Sequence, residues 1–177
     1  MLKLRKNKKG FTLVELIVVI AIMAVLAGVV AGVTVSQLNK QTDKTGATQA
    51  NTVASFISEN ALISDEDATP IVKSISVTTG TGDTATTTYK NVFIVANVKT
   101  LITNQYTAAS IPVKNATDTG VNVNKSGQVI ITFGNETGEG DAATADTVIV
   151  TYKPKASGTK TTTFTINADG VVTKTEA

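Results

Sequence analysis

Charge disappears from the chain between residues 16 and 39, where most positions are Ile, Val, Ala or Leu. A run of that length can span a hydrocarbon core of about 30 Å as a helix, the conformation that bonds every backbone group internally. Further on, Ala50, Val53, Ala54, Ile57 and Ala61 recur at helical spacing. The helix is therefore expected to continue, now amphipathic, to about residue 63. Residues 41–51 are polar and small, with Gly46 inside, and read as its weakest part. The acidic run Asp65-Glu66-Asp67 follows, and Pro70 forbids simple continuation. Strands are expected over 71–78, 86–95, 128–133 and 147–152. A closing hairpin pairs 161–166 with 171–174 around the turn Asn167-Ala168-Asp169-Gly170. Residues 98–106 suit a short helix better than a strand. The pattern predicts an α+β fold, a long N-terminal helix packed through Val53, Phe56 and Ile57 on an antiparallel meander.

Composition narrows the chemistry. There is no Cys and no His, which leaves no disulfide framework, no Cys- or His-ligated metal and no His-assisted nucleophile. No glycine-rich phosphate loop follows a strand and opens a helix. Neither an enzyme, a cofactor nor a metal is expected. The net charge of +2 conceals an asymmetry. Lys3, Arg5, Lys6, Lys8 and Lys9 precede residue 10, and the rest holds 11 Lys against 14 Asp and Glu. The body is mildly acidic, so direct nucleic-acid binding is not expected. The basic arm reads instead as a topology signal that keeps the N-terminus on the cytoplasmic side.

The apolar segment allows three readings. A cleaved secretory signal would have a shorter apolar core and an Ala-x-Ala site, and the alanines at 21, 24, 27 and 31 are never two apart. A plain membrane anchor for a surface adhesion domain fits the hydropathy and the basic arm. It does not explain Glu15, a carboxylate that costs about 2.5–3.5 kcal/mol at a bilayer centre and less near the edge. No Lys or Arg follows on the same helix within reach, so a partner must lie upstream or on another molecule.

The residues Lys-Lys-Gly-Phe-Thr-Leu-Val-Glu-Leu, 8–16, resemble the processing site of type IV prepilins. The resemblance implies cleavage after Gly10 by a membrane-embedded prepilin peptidase and N-methylation of Phe11. It also implies that Glu15 bonds the Phe11 amine of a neighbouring subunit during assembly. The chain would then be a structural subunit of a type IV pilus-like filament serving adhesion or motility, built with an assembly ATPase and a membrane platform. A minor pilin, or a pseudopilin of type II secretion or competence DNA uptake, is the alternative within the same class. The expected parts are a leader at 1–10, a membrane and filament-core helix at 11–35, its amphipathic continuation at 36–64 and a β-rich head at 65–177. The precursor would sit in the cytoplasmic membrane as a single pass before reaching the surface. Many family members kink the apolar helix at a proline, whereas this chain has Gly28 and Gly32 there. With Ala24 these form a small-residue face that lets helices approach closely.

Asp65-Glu66-Asp67 lacks the spacing of a Ca²⁺ loop and reads as a solvated turn; Glu136, Glu139 and Asp141 raise the same question, since some secretion pseudopilins that share the N-terminal motif bind Ca²⁺ in such loops. Asn115-Ala116-Thr117 and Asn135-Glu136-Thr137 match the N-glycosylation pattern, and the threonines at 86–88 and 161–163 could carry O-glycans.

Overall fold

The computed structural model describes residues 10–63 and 69–177. The basic arm before residue 10 and the acidic turn Asp65-Glu66-Asp67 lie outside the described residues. The chain divides into two compact units between Asn39 and Lys40, with α1 (Leu13–Leu62) contributing to both.

In the first unit α1 is exposed along its length, including Leu16, Ile20, Leu26, Val30 and Val35. It is the one helix among the described residues long and apolar enough to cross a membrane.

The second unit is an α+β fold. The expected stripe is its centre: Ala50, Val53, Ala54 and Ile57 of α1 are each 0% exposed. Strands β1 (Val72–Thr79), β2 (Thr86–Ile94), β3 (Val113–Asn115), β4 (Val129–Gly134), β5 (Thr144–Ala145), β6 (Thr147–Tyr152), β7 (Thr162–Asn167) and β8 (Val172–Glu176) form two sheets. Their orders are β1-β2-β5 and β3-β4-β6-β7-β8. Period-two alternation buries Val148, Val150 and Tyr152 of β6 and Phe164 and Ile166 of β7 in one core with α1, together with Val129 and Ile131 of β4. The short helix α2 (Val95–Tyr106) adds Val98 and Ile102. Phe56 meets Tyr106 edge to face with ring centroids 5.8 Å apart.

The antiparallel meander needs correction at two places. The first is β3, a strand with no alternating run long enough to announce it, which pairs parallel to β4. The second is the polar segment after β4, which contains β5 and delivers it to the other sheet, opposite Phe93 and Ile94. The β1–β2 hairpin also departs from expectation. Ile71 is buried, but Ile75 is only half-buried and Val77 is exposed, because the hairpin runs outward from a base at Val92 and Phe93. Lys90 ties it to Asp146 at 2.6 Å and holds that carboxyl below its usual range.

The largest correction concerns residues 41–51. Far from being loosely held, they contain the buried Asp43, whose two oxygens accept three hydrogen bonds from the head. The Tyr152 hydroxyl donates to Oδ1 at 2.9 Å and the Lys155 amide at 2.7 Å, while the Ala156 amide donates to Oδ2 at 2.8 Å. One turn later Gly46 lies against the Tyr152 ring so closely that a Cβ there would overlap it. Burial, then the bond to Asp43 and its charge, push the Tyr152 hydroxyl above its usual pKa.

The closing hairpin is present as β7 and β8. Its turn docks on the end of α1: Ser58 Oγ donates to the Gly170 carbonyl at 2.5 Å, and Leu62 fills the space a Cβ at Gly170 would need. Asn91 Nδ2 adds a bond to Asp169 Oδ1 at 2.9 Å. Truncation after Asn167 removes these contacts and leaves β7 as an unpaired edge. A fragment from Ser36 to Asn167 is expected to lose the cooperative thermal transition of the fragment that runs to Ala177. Superimposable melting curves would mean that β8 is an appendage.

Candidate functional site

The residues singled out in the leader and helix start lie together. Gly10, Phe11 and Thr12 are outside any helix, and α1 starts at Leu13. Phe11 is 91% exposed, and a Cβ placed on Gly10 would meet nothing within 4 Å. The Gly10–Phe11 peptide bond is therefore non-helical and reachable.

Glu15 has a partner upstream, and it is Thr12. The Thr12 amide donates to Glu15 Oε2 at 2.9 Å, the Thr12 hydroxyl donates to the same oxygen at 2.9 Å, and the Glu15 amide donates to Thr12 Oγ1 at 3.2 Å. This is a reciprocal capping box: N-cap hydroxyl on the third helical amide, third-position carboxylate back on the N-cap amide. It satisfies two backbone donors that a helix start leaves unpaired. Thr12 was not singled out by sequence, although Thr-x-x-Glu before an apolar run is a readable signature of such a cap. The box bonds one carboxylate oxygen, and among the described residues no cation forms an ion pair with it. Phe11, Val14, Leu16, Val18 and Val19 surround it with apolar surface.

Ala24, Gly28 and Gly32 fall four residues apart on α1, and a Cβ at either glycine would meet nothing within 4 Å. The backbone is thus open to close approach there.

The remaining candidates are dispersed. Glu136, Glu139 and Asp141 are exposed, and no group of three acids able to hold a metal forms among the described residues. The two glycosylation patterns differ in access. Asn115 is buried, with Nδ2 bonded to Asp118 at 3.3 Å, whereas Asn135 is exposed. Thr86, Thr87 and Thr88 are exposed on β2, while Thr162 is buried.

Residues 5–31 match the family model described as the prokaryotic N-terminal methylation motif. No curated protein and no solved structure matched the chain. The chain thus carries the class III signal peptide of type IV pilins. Together with the apolar helix, the motif supports a type IV pilin-like or pseudopilin precursor, points to a structural protein, and fits a membrane-anchored precursor later found at the cell surface.

Proposed function

We propose that the chain is the structural subunit of a type IV pilus-like surface filament. Prepilin peptidase cuts between Gly10 and Phe11 and methylates the new Phe11 amine. The precursor sits in the cytoplasmic membrane with its basic arm inside, and an ATPase-driven platform polymerises the subunit once that arm has been cut away. The helices over 11–35 pack in the filament core through the Ala24, Gly28 and Gly32 face. Moving an apolar helix from lipid to protein gains little hydrophobic energy, so packing and charge pairing must favour assembly.

The observation that carries this reading is the state of Glu15. Its cap leaves the charge without a cation among the described residues, in an apolar stretch, three residues beyond the capping threonine. Cleavage at Gly10 places an ammonium on Phe11, and the same ammonium on a neighbour supplies the missing charge. N-terminal sequencing and mass measurement of protein sheared from cells test the reading: the mature chain should begin at methylated Phe11. A surface protein beginning at Met1 would reject it.

Processing itself gives a second expectation. Gly10→Val puts a branched side chain where the peptidase needs close backbone approach. The variant should accumulate as precursor, ten residues longer than the mature form on a gel. Normal cleavage would show that the site does not depend on bare backbone.

A further inference from the structure

We propose that the lysines at one end of the head, Lys40, Lys44, Lys125, Lys153 and Lys155, form a docking surface for anionic phospholipid headgroups. The inference rests on the membrane-anchored stage of the reading above and adds what the head contacts during that stage.

Segments far apart in the chain meet at this end. The Lys155 and Ala156 amides donate to Asp43 at 2.7 and 2.8 Å, which seats the segment after β6 on the turn of α1 that carries Lys40 and Lys44. The Gly127 amide donates to the Lys153 carbonyl at 2.8 Å, and the Lys155 stem lies across Gly127 where a Cβ would overlap it. That brings in the turn holding Lys125. All of these lysines are exposed. None belongs to the ion pairs formed among the described residues, Lys90–Asp146 and Lys174–Glu176. The carboxylate among them, Asp43, is buried and bonded. Of the exposed acids, Asp118 accepts from Asn115 Nδ2 at 3.3 Å, and Glu176, opposite Thr162, pairs with Lys174 at 2.5 Å.

The sheet keeps most other acids away. The β4–β6 pair runs from Val129 opposite Tyr152 at the lysine end to Gly134 opposite Thr147, about 17 Å further on. Past that far end come Glu136, Glu139, Asp141 and Asp146, and Asp169 follows β7 on the same side. The mildly acidic body is therefore polarised: its acids gather at the end where the closing hairpin turns, and its unpaired lysines gather at the other.

The place of this patch in the chain points to lipid. Lys40 is the first charge after the uncharged stretch 16–39, and Lys44 lies about 6 Å further along the helix. A helix that crosses the bilayer with that stretch delivers both lysines to headgroup level, on the side opposite the basic arm. The other three join them from distant parts of the chain, which matters for insertion. Orientation depends on charges within about 15–20 residues of the apolar segment, so only Lys40 and Lys44 oppose the basic residues before residue 10. Each lysine near an anionic surface is worth about fivefold in binding. Several acting together make the contact depend on lipid charge and on salt. Nucleic acid offers similar phosphates, and it is the position of Lys40 directly after the apolar stretch that favours lipid.

Full-length protein reconstituted in vesicles tests this. Ser157→Cys, in the exposed segment after Lys155, and Glu139→Cys, past the far end of the sheet, each give this cysteine-free chain a single thiol for a fluorophore. The vesicles carry a nitroxide on some headgroups, and are either phosphatidylcholine alone or roughly one-third phosphatidylglycerol. Phosphatidylglycerol should about double the quenching at 157 and leave that at 139 unchanged, and salt of about 0.5 M should remove the difference. Lys153→Gln combined with Lys155→Gln should lose most of the rise, while the comparison of lipids stands without any lysine variant. Equal quenching at 157 in both lipids, or a rise that survives the salt, would overturn the docking surface and leave the anchored precursor intact. Protein that does not insert into the vesicles would overturn the anchored stage as well. A response at 157 to short duplex DNA, with none to phosphatidylglycerol, would assign the lysines to nucleic acid and overturn lipid docking.

Discussion

Asp43→Ala should cost the head about 3 kcal/mol, since it strands two backbone amides at about 1–3 kcal/mol each before any relaxation and leaves the Tyr152 hydroxyl only the Thr42 carbonyl at 3.4 Å. Among the described residues no cation forms an ion pair with the buried carboxylate; the Tyr152 hydroxyl and the amides of Lys155 and Ala156 are its partners. Asp43→Asn keeps one acceptor and turns an NH₂ towards donors on the other side, so its effect should be intermediate. Tyr152→Phe removes one bond and should cost about 1 kcal/mol. Gly46→Ala acts on the same contact from the packing side, because the ring must move to admit a methyl group. Urea unfolding of a fragment from Ser36 to Ala177, followed by circular dichroism, measures all four. An unchanged midpoint for Asp43→Ala would remove the carboxylate from any structural role. The clamp also predicts an alkaline limit. The Tyr152 hydroxyl is raised above its usual pKa in the folded chain, by burial first and then by Asp43. Its contribution is therefore complete below about pH 10, the ordinary tyrosine value, and is lost as pH rises further towards the folded value.

Glu15→Gln should abolish filaments while leaving cleavage and membrane insertion normal. The capping geometry makes this substitution informative. Glutamine serves at the third position of a capping box as glutamate does, so the helix start survives and only the charge is lost. Insertion should be normal or improved, because a lone carboxylate is costly in lipid. At each subunit contact, however, the Phe11 ammonium of the neighbour would lose its partner, at about 3–5 kcal/mol for a broken buried pair. Thr12→Val makes the opposite separation: it removes the hydroxyl from the cap and retains the carboxylate. That change costs about 1 kcal/mol at the helix start, and filaments should persist in reduced number. Counting surface filaments by electron microscopy in cells that carry only the variant decides the matter. Wild-type numbers with Glu15→Gln would eliminate charge pairing. Loss with Thr12→Val beside wild-type numbers with Glu15→Gln would assign Glu15 to the cap instead.

The elements that could be read from sequence share a property: their residues report on their own surroundings. The stripe from Ala50 to Ile57 buries the face its spacing defines, and β6 and β7 alternate as written. The turn at Asn167 to Gly170 closes the last hairpin because its local chemistry suffices: Asn167 Oδ1 accepts from the Asp169 and Val171 amides at 3.2 and 2.8 Å. The leader motif is local in the same sense. Its nine residues carry the resemblance read from sequence, and the Thr12–Glu15 cap inside it spans only four positions. That cap is legible too as Thr-x-x-Glu, although a carboxylate in an apolar run points first to a cation and not to a neighbouring hydroxyl.

The features that escaped depend on residues far apart in the chain. Asp43 and Gly46 lower helix propensity wherever they stand, so residues 41–51 read as weak. Their effect reverses only when a loop more than a hundred residues later brings Tyr152, Lys155 and Ala156 to them. Nothing in the spacing of Val113 to Asn115 marks a parallel strand, because a three-residue strand has too few positions to show a period and takes its direction from its neighbour β4. The outward run of β1 and β2 likewise follows from where β5 joins them, not from their own alternation. Amphipathic period, turn chemistry and the processing motif are properties of adjacent residues, and these the sequence determined alone. Which polar groups could be buried was decided only by tertiary structure, since a buried carboxylate is stable only where distant donors converge on it.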